Sequence, residues 1–423
     1  MSPTHHRLVY LDHAATTPIR PEVFRAMRPF FISEFGNPSA LYDLGIRARQ
    51  AIDKSRENIA SSLHTTPDTI TFTSGGTESN NLAIFGVAMA CSDPSRDLPL
   101  KGEVLDLPLL LRRGLRGGHI ITTPIEHDSV LGPIKKLAKD GWKVTYLSVD
   151  KNGLVKSEDV RRAVCPETVL VSTMYANNEI GTIEPIVDIG RIILRYRKEH
   201  NSHYPYFHTD ACQAAPYLDL DVEKLHVDLM TLTGSKIYGP KGAGLLYVRR
   251  AVKLEPLFYG GNQEQSLRPG TENVAGIVGL AKALELVQKT RKSARGWSAS
   301  GWQKMINLTE YFWNQLQEKI PGVKLNGPEI GEGRLPNNLN IEFTGVEAEA
   351  LLLYLNEAGI MCSTSSACGL ESNEPSHVLR AIGLSKKDIR ETIRFTLGLK
   401  INRANITRVV LIIESLIKKI FKL

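Results

Sequence analysis

The chain has 423 residues, of which 42% are hydrophobic, and its formal net charge is +7. A chain of this length and hydrophobicity can bury a large core and exceeds one ordinary domain, so we expect two domains. The positive charge is scattered over short basic groups without interleaved aromatic residues. That pattern is typical of solvated surfaces and gives no indication of nucleic-acid binding.

The cysteines and the apolar runs set further limits on the class of protein. The five cysteines show no CxxC spacing, which argues against both a zinc site and a disulfide framework. The first twenty residues lack an apolar core, and the apolar run 409–413 is too short to span a bilayer. We therefore expect a cytoplasmic protein without a bound metal and without membrane contact.

Short apolar segments alternate with helical patterns along the first two thirds of the chain. Helices are predicted over 129–139 and 186–199 from their apolar spacing. Strands are predicted at 70–73, 120–123, 144–148, 169–174, 206–209, 229–232 and 244–248. This alternation predicts an α/β fold with a mostly parallel sheet that is covered by helices on both faces. Ligands of such sheets bind at the carboxyl ends of the strands.

The last third of the chain predicts a smaller α+β domain. A long helix over 272–292 leads into it, and a helix after Ile406 ends it. Between them we expect strands at 338–343 and 393–397 and a helix at 347–358. We expect residues 18–270 to form the large domain, with 1–17 and 271–423 forming the small one.

A glycine-rich turn follows the first predicted strand of the large domain. Its sequence is Ser-Gly-Gly-Thr-Glu-Ser at 74–79, and we expect the next helix to begin near Asn80. The glycines at 75 and 76 let the backbone approach an anion closely, and helical N–H groups attract negative charge. The turn is a candidate phosphate site, although an ordinary helix cap is the better explanation of this segment taken alone.

A lysine and an aspartate follow two other predicted strands. Lys236 follows the strand at 229–232, and Asp210 follows the strand at 206–209. Pyridoxal phosphate enzymes need a lysine for the Schiff base and an acid that keeps the pyridine nitrogen protonated. Lysines after strands are common, so this pair alone is weak evidence. No GxxxxGK[ST] or GxGxxG motif occurs, so the sequence does not favour nucleotide binding.

Short motifs in a fixed order extend from residue 10 to residue 398. They include YLDHAATTP at 10–18, FGNPS at 35–39, FTSGGTESNN at 72–81, EH at 126–127, NNEIGT at 177–182, YGPKG at 238–242, RPGT at 268–271, SSAC at 365–368 and IRFTLG at 393–398. In these motifs the chain resembles the cysteine desulfurases, which belong to the class V aminotransferases. The resemblance implies fold type I of the pyridoxal phosphate-dependent transferases, with a seven-stranded sheet in the large domain.

The resemblance also implies a set of cofactor-binding residues. Lys236 corresponds to the Schiff-base lysine, Asp210 to the partner of the pyridine nitrogen, and Gln213 to the donor to the phenolic oxygen. His127 corresponds to the histidine that stacks on the ring and moves protons. Further contacts are implied for Asn178 near the ring and for Gly76, Thr77 and Thr233 at the phosphate.

Three further positions are implied for the second subunit and the substrate. Thr271 resembles the residue that reaches the phosphate from a second subunit, which implies a homodimer. Arg394 matches the arginine that binds the substrate carboxylate, and its planar guanidinium suits that contact. Asn37, which lies in a Gly-Asn-Pro turn, is a second candidate for the carboxylate, as is Asn178.

The chain departs from the family at Ser235, where the cysteine desulfurases carry histidine before the Schiff-base lysine. A hydroxyl can still donate a hydrogen bond to the phosphate, but it has neither the reach nor the charge of an imidazole. We expect phosphate binding at this position to be weaker or differently arranged.

The segment 362–377 determines the reaction type that we expect. It is small, polar and contains glycine and proline, which predicts a mobile loop. The resemblance implies that Cys368 in this loop is the nucleophile that attacks the sulfur of L-cysteine, leaving a persulfide and releasing alanine. Cys362 is predicted to be structural, as are Cys91, Cys165 and Cys212.

Alternatives remain open from the sequence. A selenocysteine lyase or another class V pyridoxal phosphate enzyme would share the cofactor site, and neither would depend on Cys368 in the same way. A non-catalytic, partner-binding relative is disfavoured because the lysine, aspartate, glutamine and cysteine all occur together. We also expect a sulfur-acceptor protein as partner, with an iron–sulfur scaffold as one candidate. Residues 91–118 are predicted to form a surface insertion.

Overall fold

The computed structural model describes residues 8–92, 117–292, 302–364 and 375–420. Cys368 lies outside these ranges, as do most of the segment 362–377 and most of the segment 91–118. What the sequence predicts for them stays a prediction. Within the described ranges, no helix combines the length and the apolar composition that crossing a membrane requires.

Seven strands form one mixed sheet, which we call the large sheet. Their spatial order is Ile70–Thr73, Gly244–Val248, Leu229–Thr233, Tyr206–Asp210, Thr168–Ser172, His119–Thr122 and Lys143–Tyr146. The last five strands of this order pair in parallel, whereas Gly244–Val248 runs antiparallel to both of its neighbours. The predicted α/β fold with a mostly parallel seven-stranded sheet is confirmed.

The large sheet is buried on both faces, as its apolar strands require. In the strand His119–Thr122, Ile121 packs into one hydrophobic core, and its neighbour Ile120 packs into a second core. Successive side chains of a strand point to opposite faces, so these two cores lie on opposite sides of the sheet. Only the edge strand Lys143–Tyr146 is partly exposed along its whole length.

Helices connect and cover these strands. They are Pro21–Met27, Pro29–Ile32, Asp43–Leu63, Gly76–Ser92, Asp128–Lys139, Ser157–Ala163, Ile186–Glu199, Val222–Leu225 and Val274–Lys292, with short 3₁₀ turns at Pro67–Thr69, Gly234–Lys236 and Gln263–Ser266. The helix predicted to begin near Asn80 begins at Gly76, four residues earlier. The Glu78 carboxylate accepts the backbone N–H of Ser74 at 2.7 Å. That bond stabilises the first turn and offsets the low helix propensity of glycine.

A second, antiparallel sheet forms the core of the C-terminal part, and we call it the small sheet. Its order is Ser363–Thr364, Thr392–Thr396, Asn338–Phe343 and Val323–Leu325. Phe312, Phe343 and Phe395 make edge-to-face contacts within its hydrophobic core. The helices of this part are Trp302–Lys319, Ala348–Glu357, His377–Ala381, Lys386–Arg390 and Arg403–Ile420.

The two parts of the chain meet at its N-terminal segment. The strand Val9–Tyr10 pairs in parallel with Ile360–Met361, so the N-terminal segment lies with the C-terminal part. The helix Val274–Lys292 instead buries Ile277 and Leu284 in a core of the large sheet. The division of the chain into domains at residue 270 stays a prediction. The helix Val274–Lys292 follows that residue in sequence but packs against the large sheet.

Candidate active site

A cavity of about 570 Å³ opens at the carboxyl ends of the parallel strands. Its volume is that of a typical small-molecule site. Ten of the residues singled out from the sequence line it, namely Gly76, Thr77, His127, Asn178, Asp210, Gln213, Thr233, Ser235, Lys236 and Arg394. All but Arg394 end or follow strands of the large sheet, which brings them to one edge of that sheet, whereas Arg394 comes from the small sheet.

Lys236 lies in a 3₁₀ turn directly after the strand Leu229–Thr233. Its ammonium group donates hydrogen bonds to the backbone carbonyls of Ala14 at 2.7 Å and Ala15 at 2.5 Å. Gln213 donates to the same Ala14 carbonyl at 2.9 Å. The backbone N–H of Thr17 donates to the carbonyl of Ser235 at 2.8 Å. The N-terminal segment therefore positions the lysine, a role that the sequence did not indicate.

Asp210 ends the strand Tyr206–Asp210 and is buried. One carboxylate oxygen accepts the backbone N–H of Cys212 at 2.9 Å, and the other accepts the side-chain amide of Asn80 at 2.7 Å. These two donors fix the plane of the carboxylate at the cavity wall. The neighbouring thiol of Cys212 is buried, which raises its pKa well above the usual range. That thiol is therefore protonated and inert, as predicted for this cysteine.

His127 caps the N-terminus of the helix Asp128–Lys139. Its Nδ1 accepts the backbone N–H of Ser129 at 3.1 Å and lies 2.8 Å from the Ser129 hydroxyl. Serine, threonine, aspartate and asparagine are the usual N-cap residues. Sequence patterns therefore did not suggest a cap at His127.

One end of the cavity wall is formed by small and hydroxyl-bearing residues. Gly76 and Thr77 start the helix Gly76–Ser92, so the first N–H groups of that helix are available to an anion. A Cβ atom at Gly76 would lie 2.9 Å from the sulfur of Cys212, so only glycine fits there without displacement. The hydroxyls of Thr233 and Ser235 lie 3.4 Å apart at the same end.

Arg394 lies in the central part of the small sheet and points its guanidinium toward the cavity. It donates to the carboxylate of Asp12 and to the backbone carbonyl of Asn178, at 2.8 and 3.0 Å. Its Nε is buried and has no hydrogen-bond partner among the described residues. Asp12 neutralises and orients the arginine, and the N–H groups that Asp12 and Asn178 do not use can serve a ligand carboxylate.

Two buried glutamates also line the cavity and were not singled out from the sequence. Burial raises the pKa of Glu126 well above its usual range, which favours the protonated form of this group. Burial also raises the pKa of Glu179 to about 7, although the Ser376 hydroxyl and Arg394 favour its ionised form. The Ser376 hydroxyl donates to the Glu179 carboxylate at 2.6 Å. Both glutamates lie in motifs quoted above, EH at 126–127 and NNEIGT at 177–182, but the sequence assigned neither of them a role.

Two candidates lie outside the cavity, and a third is not among the described residues. Asn37 is exposed and does not line the cavity, because its side-chain oxygen accepts the N–H of Ser39 in a local turn at 2.9 Å. Thr271 is also exposed and outside the cavity of its own chain. Cys368 lies outside the described residues. The roles of these three residues stay predictions.

The cavity fits pyridoxal phosphate, the cofactor predicted from the sequence. Lys236 offers an amine and Asp210 a carboxylate. A Cβ atom at Gly76 would crowd the sulfur of Cys212, and glycine has none. The first N–H groups of the helix are therefore open to a phosphate. The donors and acceptors thus match the aldehyde, the ring nitrogen and the phosphate of that cofactor.

Comparisons with known proteins agree with this geometry. A family model described as aminotransferase class-V matches residues 9–97 and 109–409. The chain is 43% identical over 415 residues to a cysteine desulfurase IscS from Dictyoglomus turgidum, in an alignment that covers 98% of this chain and 95% of that relative.

Two solved structures are also similar over most of both chains. A NifS-like protein superposes with a TM-score of 0.83 at 34% identity, covering 97% of this chain and 99% of that one. A structure described as SspA in complex with cysteine has a TM-score of 0.72 at 36% identity, covering 92% of this chain and 98% of that one.

Proposed function

The chain belongs to the class V aminotransferases and, within them, to the cysteine desulfurases, and on that premise we propose how its residues take sulfur from L-cysteine. One observation carries the proposal. Lys236, Asp210, His127 and Arg394 line a single cavity, although they come from distant parts of the chain. Pyridoxal phosphate, held by Lys236, Asp210 and the helix N-terminus at Gly76, supplies a ring that stabilises negative charge on the substrate's α-carbon.

The remaining steps belong to side chains of this protein. Arg394 binds the carboxylate of L-cysteine through the guanidinium that Asp12 orients. The amine of Lys236 is the base for the α-proton, and the Ala14 and Ala15 carbonyls hold it at the cavity. His127 presents its ring at the same wall and moves a proton at Nε2, because Nδ1 is occupied by the Ser129 N–H.

We propose Cys368 as the sulfur acceptor on the enzyme. Its thiolate attacks the substrate sulfur, the carbon–sulfur bond breaks, and the sulfur stays on Cys368 as a persulfide. The three-carbon remainder takes up a proton at Cβ, regains at Cα the proton that Lys236 removed, and leaves as L-alanine. The resemblance at 365–368 supports this role, and the described cysteines support it indirectly. The nearby Cys362 has its pKa raised by burial, which keeps it in the unreactive thiol form.

We further propose a homodimer in which Thr271 completes the phosphate site of the partner. Sulfur would then pass to an acceptor protein, with an iron–sulfur scaffold as the first candidate. A reducing cytoplasm suits this chemistry, since the described cysteines Cys91, Cys165, Cys212 and Cys362 form no disulfides.

The decisive experiment compares Cys368→Ser with Cys362→Ser. Both variants should bind pyridoxal phosphate and show its visible absorption band, whereas Lys236→Ala should lose that band. Alanine and persulfide formed from L-cysteine, with a thiol acceptor present, are measured per enzyme. We expect a loss of at least about a hundredfold for Cys368→Ser and near-normal rates for Cys362→Ser. Near-normal alanine release by Cys368→Ser would instead favour a selenocysteine lyase or another class V activity.

A further inference from the structure

Four side chains form an unbroken hydrogen-bonded chain along the cavity wall, and three of them, Asp210, Ser129 and His127, line the cavity. Asn80 donates to the Asp210 carboxylate at 2.7 Å and contacts the Ser129 hydroxyl at 2.8 Å through the same amide nitrogen. The Ser129 hydroxyl in turn lies 2.8 Å from Nδ1 of His127. Asp210 and His127 are the two ends of the chain, and both line the cavity.

The direction of each hydrogen bond follows from the chemistry of the groups. A carboxylate can only accept, so the Asn80 atom that faces Asp210 must be its NH₂ group. The second hydrogen of that NH₂ group points at Ser129, whose oxygen must therefore accept it. The Ser129 hydroxyl hydrogen is then available to His127, whose Nδ1 also accepts the backbone N–H of Ser129 at 3.1 Å. Both donors to Nδ1 place the proton of the neutral ring on Nε2.

We propose that Asn80 and Ser129 are positioning residues that join Asp210 to His127, so that the carboxylate and the imidazole are oriented as one unit. This inference rests on the proposed function, because it concerns the two groups that would contact the cofactor ring. Asn80 itself does not line the cavity and acts only through its neighbours.

The buried position of Asn80 supports this role. Its side chain is fully buried, and its Oδ1 has no hydrogen-bond partner among the described residues. An unsatisfied buried carbonyl oxygen costs stability, which an apolar residue of the same shape would not. The asparagine is therefore better explained by the two hydrogen bonds that it donates than by a contribution to folding.

A purely structural role is the competing explanation. Ser129 occupies the first turn of the helix that His127 caps, so its contact with the ring could serve only to start that helix. The two explanations differ in what happens at the far end of the chain. A helix cap has no reason to alter Asp210, whereas a positioning bridge transmits a change at Ser129 to Asp210.

The experiment changes Ser129, inside the bridge, and measures the effect on the cofactor that Asp210 would contact. Ser129→Ala removes the hydroxyl but keeps the backbone N–H that caps the helix. In the holoenzyme we expect the pH midpoint of the visible cofactor band to move by about half a pH unit and kcat to fall about fivefold. The KM for L-cysteine should change little, because Arg394 is untouched. Ser129→Thr, which restores a hydroxyl, should recover both values.

Ser172→Ala is the matched control. It removes a hydroxyl that lies 2.9 Å from Nδ1 of His208, a buried histidine, and neither Ser172 nor His208 lines the cavity. The control should leave both the cofactor band and kcat unchanged. A folded Ser129→Ala variant with the band midpoint and kcat of the wild type would overturn the proposal.

A second measurement separates this proposal from the proposed function. In cofactor-free protein labelled with ¹⁵N-histidine, the Nδ1 resonance of His127 is identified by its loss in His127→Gln. Asn80→Leu should shift this resonance, because the Ser129 hydroxyl loses its donor. A wild type that neither binds pyridoxal phosphate nor forms alanine would refute the proposed function alone. An unshifted His127 resonance would refute the bridge alone.

Discussion

Ser235 stands immediately before Lys236, where the cysteine desulfurases carry histidine. Ser235 lines the cavity, and its hydroxyl lies 3.4 Å from the hydroxyl of Thr233, where we propose that the phosphate binds. The donors that this chain offers to a phosphate are thus two neutral hydroxyls and the N-terminus of the helix Gly76–Ser92, without an imidazole. Neutral donors bind a phosphate less strongly than charge-assisted ones do.

We therefore predict that Ser235→His strengthens cofactor retention. A charge-assisted hydrogen bond adds roughly 1 kcal/mol or more, so the dissociation rate of pyridoxal phosphate should fall about fivefold. The rate is followed by the loss of visible absorption during dialysis. Thr65→His, a substitution outside the cavity, is the control and should not alter it. Unchanged loss from Ser235→His would mean that the existing donors already saturate the phosphate.

Motifs in the sequence were sufficient to predict the cavity residues that follow the strands. His127, Asp210 and Lys236 each follow a short apolar strand, and parallel strands bring such positions to one edge. The pairing of Arg394 with Asp12 could not be predicted in this way, because the two residues are 382 positions apart. The raised pKa of Glu126 was equally inaccessible, since it depends on burial beneath several distant segments.

Predicted helices and strands agreed with the structure where the apolar pattern alone determines them. The helix Ile186–Glu199 and the strands Gly244–Val248 and Asn338–Phe343 have the predicted bounds. The helix at Gly76 begins earlier than expected. The backbone N–H of Ser74 donates to the Glu78 carboxylate, and this bond outweighs the low helix propensity of glycine. Element ends depend on such single contacts, which apolar periodicity does not report.

Glu184 is a buried acid whose carboxylate joins the start of a helix to the backbone at Val155. It precedes the helix Ile186–Glu199, is 2% exposed, and accepts the backbone N–H of Val155 at 3.0 Å. Its other carboxylate oxygen has no hydrogen-bond partner among the described residues. Burial raises the pKa of Glu184 to about 8, so the folded protein carries this group protonated at neutral pH.

This raised pKa predicts a loss of stability as the pH rises. The folded state binds the Glu184 proton more tightly than the unfolded state does. The resulting stabilisation is complete below the ordinary glutamate pKa and is lost as the pH rises through about 8. Between pH 5 and pH 8 the unfolding free energy of the wild type should fall. We expect that fall to exceed the fall in Glu184→Gln by on the order of 3 kcal/mol.

Urea denaturation at several pH values checks this prediction. Glu332→Gln, at an exposed loop position, is the control and should follow the wild type at every pH. Glu126 and Glu179 carry pKa shifts of the same sign, so the Glu184→Gln variant should retain part of the decline. Parallel pH curves for Glu184→Gln and the wild type would show that Glu184 is ionised in the folded protein.

The surface of the whole molecule carries a concentration of exposed apolar side chains near its N-terminus. Within residues 24–42 six large ones are more than half exposed, and they are Phe24, Phe31, Ile32, Phe35, Leu41 and Tyr42. Monomeric proteins seldom expose this much apolar surface in one segment, and such surfaces mark protein interfaces. Together with the exposed Thr271, this segment favours the shared-site homodimer that we propose.

We predict that Phe31→Asp combined with Phe35→Asp turns the dimer into a monomer, because burying two carboxylates at an apolar interface costs several kcal/mol. Sedimentation velocity measures the assembly, and visible absorption measures cofactor retention. If Thr271 completes the partner's phosphate site, the monomer loses one charge-assisted hydrogen bond to the phosphate. It should then release pyridoxal phosphate at least about tenfold faster. Leu353→Asp is the matched control, since this leucine is 70% exposed on a helix beside the small sheet, and it should leave the dimer intact. A monomer of Phe31→Asp and Phe35→Asp with full activity and undiminished cofactor affinity would show that each subunit carries a complete site.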